Sequence, residues 1–181
     1  MPKGSEELTN ARKDEIINAC AYLYEEMSFK DITIRDIGAK TSFTRTAIYN
    51  YFQTKEEIFL ALLQREYEAW LMDLEGILQK YSYLSATAFA NKLARTLEKR
   101  GLMLKLMAMN LYDIEENSRI ENLVKFKTAY YRVLKSIAKC LEKFCPFMAE
   151  EDIQEFLYAF FPFLFGVYPY TSHTEKQMKA M

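Results

Sequence analysis

Apolar residues recur along most of this chain at steps of three and four residues, and residues that interrupt helices are scarce. Only five glycines and four prolines occur among 181 residues. Steps of three and four residues place side chains on one face of an α-helix, whereas a half-buried strand needs alternation, and no segment shows that pattern. The sequence therefore predicts an all-α fold. A hydrophobic content of 50% is enough for one compact domain or two small ones.

Capping residues mark where the helices begin. A hydroxyl followed three residues later by a carboxylate or amide can form a capping box, and four such pairs stand at the starts of predicted helices: Thr33 with Asp36, Thr54 with Glu57, Ser118 with Glu121, and Thr174 with Gln177. Thr44 is a further candidate N-cap. With the apolar stripes, these signals predict helices over 10–27, 34–40, 45–52, 54–80, 85–99, 102–112, 118–145 and 149–168, and a polar loop over 113–117. We expect a final helix after Thr174 that is truncated at Met181.

Composition bears on the cell compartment. Cys20, Cys140 and Cys145 form no even disulfide framework and no zinc-type spacing, which favours a reducing compartment. Met1–Asn10 is polar and lacks the apolar core of a signal peptide, so we expect a cytoplasmic protein. Phe156–Ser172 has no charge but contains two prolines and a glycine and barely reaches spanning length. No membrane partner is expected, although membrane association of this segment stays open as an alternative.

Two short predicted helices, 34–40 and 45–52, are joined by a turn of a few residues. These are the proportions of a helix-turn-helix, whose second helix enters the major groove of DNA. The net charge of the chain is −1, but 33–55 contains four basic residues and one acid, a local charge of +3. A local basic excess on such a motif is typical of a DNA-binding surface.

The motif resembles the DNA-binding signature of the tetracycline-repressor (TetR) family of bacterial regulators. The residues that carry the resemblance are Ile37-Gly-Ala-Lys-Thr-Ser-Phe-Thr-Arg-Thr-Ala-Ile-Tyr-Asn-Tyr-Phe52, followed by Lys55-Glu-Glu-Ile58, and it extends over 16–62. One position departs from the family pattern, because Ser42 stands where the turn usually has glycine. If Ser42 adopts a left-handed conformation there, the cost is about 1 kcal/mol.

The resemblance implies a double-stranded DNA operator as partner. Arg45 is the expected base-reading residue, since an arginine can donate two hydrogen bonds to guanine. Lys55, at the start of the long helix, is expected to bind phosphate. Two roles stay open for each of two further residues: Tyr49 either packs or contacts a phosphate, and Asn50 reaches either adenine or a phosphate. The full set of implied DNA-binding residues is Thr33, Arg35, Thr44, Arg45, Thr46, Tyr49, Asn50, Tyr51 and Lys55.

The resemblance also implies a helix-turn-helix domain over 1–55 and a helical effector-binding and dimerisation domain over 56–181. A small hydrophobic or aromatic effector is expected among Trp70, Leu74, Tyr81, Phe89, Met103, Met107, Asn110, Tyr130, Tyr131 and Leu134, although apolar residues of this kind, taken one by one, more often belong to the core. The helix that starts at Ala149 opens with acids but is apolar on every face from Phe156 onward, which predicts a homodimer interface formed by Phe156, Phe160, Phe161, Phe163, Leu164, Phe165, Val167 and Tyr168.

Catalysis finds little support in the sequence. The single histidine, His173, has no partner in a recognisable nucleophilic arrangement. The acids Asp113, Glu115 and Glu116 lack a histidine at ligand spacing, and no glycine-rich nucleotide motif occurs, so we expect no metal, no cofactor and no enzyme. The sequence favours a DNA-binding transcriptional regulator. We expect it to be a repressor that an effector releases from DNA. The alternative is a helical ligand carrier or protein-interaction module without DNA binding.

Overall fold

A computed structural model describes the backbone of residues 3–181 and the side chains from Glu6 onward. The first two residues of Met1–Asn10 lie outside this range. The described part is all-α and contains no strand, as predicted. Its helices are α1 (Lys3–Glu26), α2 (Ile34–Gly38), α3 (Arg45–Ile48), α4 (Lys55–Lys80), α5 (Ala86–Glu98), α6 (Gly101–Met107), α7 (Leu111–Glu116), α8 (Ile120–Phe144), α9 (Glu150–Thr171) and α10 (Glu175–Ala180).

The chain forms two compact units, and the first is not continuous in sequence. Unit 1 comprises Met1–Leu63 and Leu111–Phe126, and unit 2 comprises Gln64–Asn110 and Lys127–Met181. Unit 1 therefore contains α1–α3, the first turns of α4, all of α7 and the first turns of α8. The proposed division at 55/56 did not anticipate that a segment beyond residue 110 packs with the amino-terminal helices.

The core of unit 1 forms where α1 packs against the start of α4. Tyr24 and Phe29 each meet the ring of Phe59 edge-on, at centroid distances of 5.1 and 4.8 Å. Around these rings the fully buried aliphatic residues come from α1, α2, α3 and α4, and they include Ile16, Ile37, Ile48, Ile58 and Leu62. Each short helix thus contributes one isoleucine that fixes it to the core.

The structure corrects one predicted loop. The segment predicted as a polar loop over 113–117 is largely helix α7, and the predicted helix over 102–112 is divided between α6 and α7. The buried side chain of Ile114 anchors α7, while Asn117 Nδ2 and Ser118 Oγ each donate at 2.7 Å to the carbonyls of Asp113 and Ile114. A six-residue helix with one buried anchor shows no apolar periodicity, so the pattern of the sequence could not reveal it.

Two of the predicted capping boxes form in full. The hydroxyls of Thr33 and Thr174 accept from the backbone three residues ahead, and the side chains of Asp36 and Gln177 accept from the threonine N–H groups. The hydrogen bonds from Thr33 hold the pKa of Asp36 below its ordinary value. At the start of α4, the Thr54 hydroxyl accepts from the Glu57 N–H at 3.1 Å. The Glu57 carboxylate does not complete the box, because it accepts hydrogen bonds from Gln53 and Arg119.

Two other predicted caps are wrong. Thr44 takes the extended N-cap conformation, yet its hydroxyl makes no capping hydrogen bond. Ser118 does not cap α8 through a box with Glu121, because its hydroxyl donates to the carbonyl of Ile114, four residues earlier. The N–H of the next residue, Arg119, is satisfied by a side chain from α4.

The core of unit 2 is built around Trp70. Its indole Nε1 donates to the Thr96 hydroxyl at 2.9 Å, and that hydroxyl donates to the carbonyl of Leu93 at 2.7 Å. Phe161 of α9 lies 6.2 Å from the Trp70 ring and 5.1 Å from the ring of Tyr130 on α8. These contacts join α4, α5, α8 and α9 around one aromatic cluster.

Two residues of the expected interface set are buried within unit 2. Phe161 and Leu164 are only 3% and 1% exposed, so most of each side chain packs inside the unit. Their spacing from the buried Ile153 follows the helical period and defines the inward face of α9. The uncharged composition of the segment concealed this inward face. Among the described helices, none is both long enough and apolar enough to cross a membrane.

Removing the Thr96 hydroxyl should destabilise unit 2. Thr96→Val keeps the shape of the side chain but leaves the buried Trp70 N–H without its acceptor, so we expect the free energy of unfolding to fall by about 1–3 kcal/mol. Urea denaturation followed by tryptophan fluorescence measures the change. Thr96→Ser retains the hydroxyl and is the control. Equal stability of the valine variant and the wild type would contradict this role.

Candidate nucleic-acid interface

Helices α2 and α3 approach each other closely at Gly38. A Cβ atom built on Gly38 would lie 3.4 Å from the Cα of Arg45 and 3.4 Å from Cδ1 of Ile48. These distances are at the short end of van der Waals contact, so α2 and α3 pack closely here with little room beyond a Cβ atom. After Ile48, α3 does not continue as regular α-helix to Phe52 as predicted. It continues in hydrogen-bonded turns, in which Asn50 N–H donates to Ala47 and Tyr51 N–H to Ile48.

The turn between these helices does not need a left-handed residue. No non-glycine residue in the described chain has a positive φ, so Ser42 adopts an ordinary conformation and avoids the cost considered above. The Glu15 carboxylate of α1 accepts from both the backbone N–H and the hydroxyl of Ser42, the latter at 3.1 Å. Thr41 Oγ1 lies 3.0 Å from the carbonyl of Gly38. The Ser42 hydroxyl therefore adds a second hydrogen bond to α1, whereas glycine could donate only its backbone N–H.

Seven of the predicted DNA-binding side chains lie on one exposed stretch, namely Thr33, Arg35, Thr44, Arg45, Thr46, Tyr49 and Asn50. Arg45 Nη2 donates to the Tyr49 hydroxyl at 3.2 Å, and its guanidinium carbon is 5.9 Å from the centre of that ring. The pair places a cation and a phenol one helical turn apart at the start of α3. The Thr33 hydroxyl is engaged with Asp36, at 2.6 Å, so it is committed to its cap.

Tyr51 and Lys55 are placed differently from the other seven. Tyr51 is half-buried, and its hydroxyl accepts from Arg12 Nη1 at 3.3 Å. The Lys55 ammonium donates to the carbonyls of Phe29 and Ile32 at 2.8 and 3.2 Å, and it lies 4.3 Å from the centre of the Phe29 ring. This arrangement differs from the phosphate contact predicted for Lys55, because its ammonium already holds the turn between α1 and α2.

The inward orientation of Lys55 reduces the number of cations available on this surface. Of the four basic residues in 33–55, Arg35, Lys40 and Arg45 remain exposed. Lys40 lies 5.0 Å above the ring of Tyr22 on α1. The exposed positive charge is therefore concentrated along α2, the turn and the beginning of α3.

The sequence did not reveal the ion pair between Glu57 and Arg119. Glu57 is 0% exposed. Its carboxylate accepts from the Gln53 N–H at 2.8 Å and from three donors of Arg119, namely the backbone N–H, Nε and Nη2, at 3.0, 2.6 and 2.9 Å. Arg119 Nη2 also donates to the carbonyl of Tyr51 at 3.0 Å. Arg119 thus connects the start of α8 to the segment that follows α3.

The pKa shifts of this pair follow from the burial of Glu57 and from the hydrogen bonds that it accepts. Loss of hydration alone would raise the pKa of Glu57, but the hydrogen bonds from Arg119 and Gln53 outweigh it, so the pKa of Glu57 is lowered. The same contacts raise the pKa of Arg119. Partners 62 residues apart leave no local signal. The sequence marked Glu57 only as the partner of Thr54 in a cap.

The structure places the ten residues expected to form the effector pocket in several parts of unit 2. Trp70, Leu74, Phe89, Met103 and Met107 are buried in the core of unit 2, and Asn110 is exposed at its edge. Tyr81 lies in a separate groove between α4 and α5. Tyr130, Tyr131 and Leu134 line an open groove of about 440 Å³ between α8 and α9, with Lys135, Ala138, Gln154, Leu157, Tyr158, Phe161, Pro162 and Phe165.

Comparison with known families agrees with both parts of the chain. Residues 16–62 match the model described as bacterial regulatory proteins of the tetR family, and residues 64–181 match the model described as the tetracyclin repressor-like C-terminal domain. The chain belongs to the TetR family. It is a TetR-family transcriptional regulator, and the α2–turn–α3 segment lies within the part of the chain that matches the tetR family model.

Two curated relatives are similar over part of their length. The uncharacterized HTH-type transcriptional regulator YfiR of Bacillus subtilis is 25% identical over 97 residues, which cover 53% of this chain and 47% of that protein. The HTH-type transcriptional repressor Rv1474c of Mycobacterium tuberculosis is 29% identical over 80 residues, 43% of each chain. This chain therefore spans less than half the length of either relative in these alignments.

The lowered pKa of Glu57 predicts how stability depends on pH. A carboxylate whose pKa is lower in the folded than in the unfolded chain stabilises the fold when ionised. That contribution is complete above the ordinary value of 4.5 and is lost as the pH falls through the lowered folded value. We therefore expect the free energy of unfolding of Glu57→Gln to be lower than that of the wild type at pH 7, and to fall less on acidification.

Urea denaturation at pH values from 7 to 3 measures this difference. Glu56→Gln, which removes the neighbouring carboxylate on α4, is the matched control and should follow the wild-type curve. Identical pH profiles of the Glu57→Gln and Glu56→Gln variants would contradict the stabilising role assigned to the Glu57 carboxylate.

Proposed function

We propose that this TetR-family regulator binds a palindromic operator as a homodimer and represses transcription until a small apolar effector releases it. The observation that carries the DNA-reading part is the exposed start of α3. There Thr44, Arg45 and Thr46 surround the first helical turn, while Ile48 on the opposite face is fully buried. The buried face fixes the orientation of the helix, and the exposed face is left for DNA.

The exposed residues suit different parts of the operator. Arg45 can donate two parallel hydrogen bonds to guanine, which discriminates by about 1–3 kcal/mol. Arg35, Lys40 and Tyr49 are suited to phosphates on either side, and Asn50 to adenine or phosphate. Thr44 is available because its hydroxyl makes no cap. Lys55 and Tyr51 act through the fold, as their intramolecular contacts indicate.

The open groove between α8 and α9 supports a homodimer. Its margins are aromatic, and Tyr131 and Tyr158 are 55% and 82% exposed. Phe163 on α9 is also 66% exposed. Apolar side chains in such a patch are typical of a protein interface, and helix pairs of two subunits can cover each other in a four-helix bundle. We therefore place the interface on this groove and on the outer residues of α9.

A two-fold dimer would present two copies of α3 to successive major grooves. Such an arrangement reads an operator with two-fold symmetry and half-sites about one DNA turn apart. DNA binding also places the function in the bacterial cytoplasm. Repressor activity is the proposed direction of regulation, in keeping with the name of the Mycobacterium tuberculosis relative. The function is binding and not catalysis.

The apolar effector is proposed to enter the aromatic core of unit 2. This core brings together Trp70, Tyr130 and Phe161. Met103 and Met107 of α6 are also buried in unit 2. Methionine side chains adapt to irregular shapes, which would let the core open around a bulky apolar molecule. Effector binding would shift the population towards a spacing of the two reading helices that no longer matches successive grooves.

The role of Arg45 can be tested by substitution. Arg45→Ala should lose preference for the operator and retain binding to unrelated DNA, because base contacts specify sequence while phosphate contacts position the protein. Selection from random double-stranded DNA, repeated with the variant, measures the preference. Lys30→Ala removes the same charge from an exposed position outside the proposed surface and is the control. Failure of the wild type to select any motif would favour the protein-interaction alternative.

The proposed dimer interface predicts a change of mass in solution. Tyr158→Glu introduces a charge into the α8–α9 groove and should yield monomers, since an unpaired charge in an apolar interface is costly. Tyr83→Glu makes the same change at a residue that is 77% exposed outside the groove, and it should remain dimeric. Sedimentation equilibrium measures both masses. A dimeric Tyr158→Glu protein would move the interface elsewhere.

A further inference from the structure

A second groove of unit 2 lies between the carboxy-terminal half of α4 and α5. Asp73, Gly76, Ile77 and Lys80 of α4 and Lys92, Arg95, Thr96 and Lys99 of α5 line it, together with Tyr81. On both helices these positions follow the spacing i, i+3, i+4 and i+7, so each helix presents one continuous stripe to the groove. The cavity volume is about 380 Å³, which falls within the range of small-molecule sites.

The charge of this groove is strongly positive. Its lining contains four cationic side chains and one carboxylate, while the chain as a whole carries a net charge of −1. The carboxylate of Asp73 is already shared by Lys99, at 2.6 Å, and Arg100. The only carboxylate in the lining is therefore already paired, and Lys80, Lys92 and Arg95 add three further positive charges. Like charges gathered in one cleft repel each other, and a bound anion removes that cost.

Tyr81 lies among these cations and adds a hydrogen-bond donor. Lys92 Nζ donates to the Tyr81 hydroxyl at 2.9 Å, and the ammonium groups of Lys92 and Lys80 lie 4.3 and 5.6 Å from the centre of its ring. Since the hydroxyl oxygen accepts from Lys92, its own proton can be donated to a ligand. The hydrogen bond from Lys92 also lowers the pKa of Tyr81, which agrees with the positive potential of the groove.

Gly76 leaves the wall of the groove open. It lies inside the long helix α4, where glycine is less favourable than alanine by about 1 kcal/mol. A Cβ atom built there would meet no atom within 4 Å, so packing within the chain does not require glycine. A larger side chain at this position would project into the space between the cations.

Helix dipoles account for part of the charge pattern but not for all of it. Lys80 ends α4, and Arg95 lies in the last turn of α5, where cations are favourable in any helix. Lys92 lies near the middle of α5 and has no such reason to be cationic. Its contact with Tyr81, which follows α4 in the chain, instead draws the two sides of the groove together.

We propose that this groove binds a small multivalent anion, a molecule with a phosphate group or several carboxylates. Lys80, Lys92 and Arg95 provide the positive charge, and the Tyr81 hydroxyl donates to one anionic oxygen. The guanidinium of Arg95 can donate two parallel hydrogen bonds to a phosphate or carboxylate. The site is separate from the aromatic core proposed for the apolar effector, and it does not depend on DNA binding by α3.

Isothermal titration calorimetry of the full chain, without DNA and at fixed ionic strength, tests this site. The probes are pyrophosphate and citrate, with chloride as the competing salt. We expect saturable binding of at least one probe, with one equivalent per chain. Tighter binding of pyrophosphate assigns a phosphate ligand and tighter binding of citrate a polycarboxylate, and either result supports the site. Absence of saturable heat for both probes at millimolar concentration would overturn it.

Matched variants separate a site from general attraction to a charged surface. Lys92→Gln and Arg95→Gln should each weaken the bound probe at least tenfold, and Gly76→Glu, which introduces a carboxylate at an exposed helical position, should abolish binding. Lys139→Gln removes a charge from an exposed position on α8 and should leave the affinity unchanged. Circular dichroism and the urea midpoint show that each variant is folded. Equal affinities of the Lys92→Gln and Lys139→Gln proteins would overturn the proposal.

Discussion

The carboxylate of Glu57 lies out of contact with solvent, and such a group is tolerated only where hydrogen bonds replace its hydration. Arg119 supplies three of the four donors that it receives in the structure. The same arginine donates to the Tyr51 carbonyl, immediately before the buried Phe52. The segment after α3 in unit 1 is therefore held by a residue that the chain reaches only after it has passed through α5 and α6 of unit 2. This contact joins the start of α8 to the unit that contains the proposed reading helix.

Several polar side chains of unit 1 share this supporting function, which leaves few residues for DNA. Glu15 holds the turn at Ser42, Lys55 holds the turn between α1 and α2, and Arg12 holds the Tyr51 hydroxyl. Each joins two elements of unit 1 through hydrogen bonds. Thr44, Arg45 and Thr46 at the start of α3 are exposed and make no such contact between elements in the structure, which is why the proposed reading role rests on Arg45 and the threonines beside it.

The sequence predicted the elements whose signals are local. Helix periodicity located the long helices, threonine caps located the starts of α2 and α10, and the spacing of the two short helices identified the helix-turn-helix. The sequence could not show which of several distant partners a side chain contacts. Lys55 could face a phosphate or two carbonyls, and Phe161 could face a second subunit or Trp70; only the packed core decides. Helix α7 was missed because one buried isoleucine makes no pattern.

The claim that Glu57 and Arg119 act together on the DNA-binding surface can be measured by a double-mutant cycle. The dissociation constant for a selected operator is determined for the wild type, Glu57→Gln, Arg119→Gln and the double variant. The account predicts that each single substitution weakens operator binding and that the double variant is little weaker than either one, because both remove the same contact. Additive effects, or operator affinity unchanged in both single variants, would contradict it.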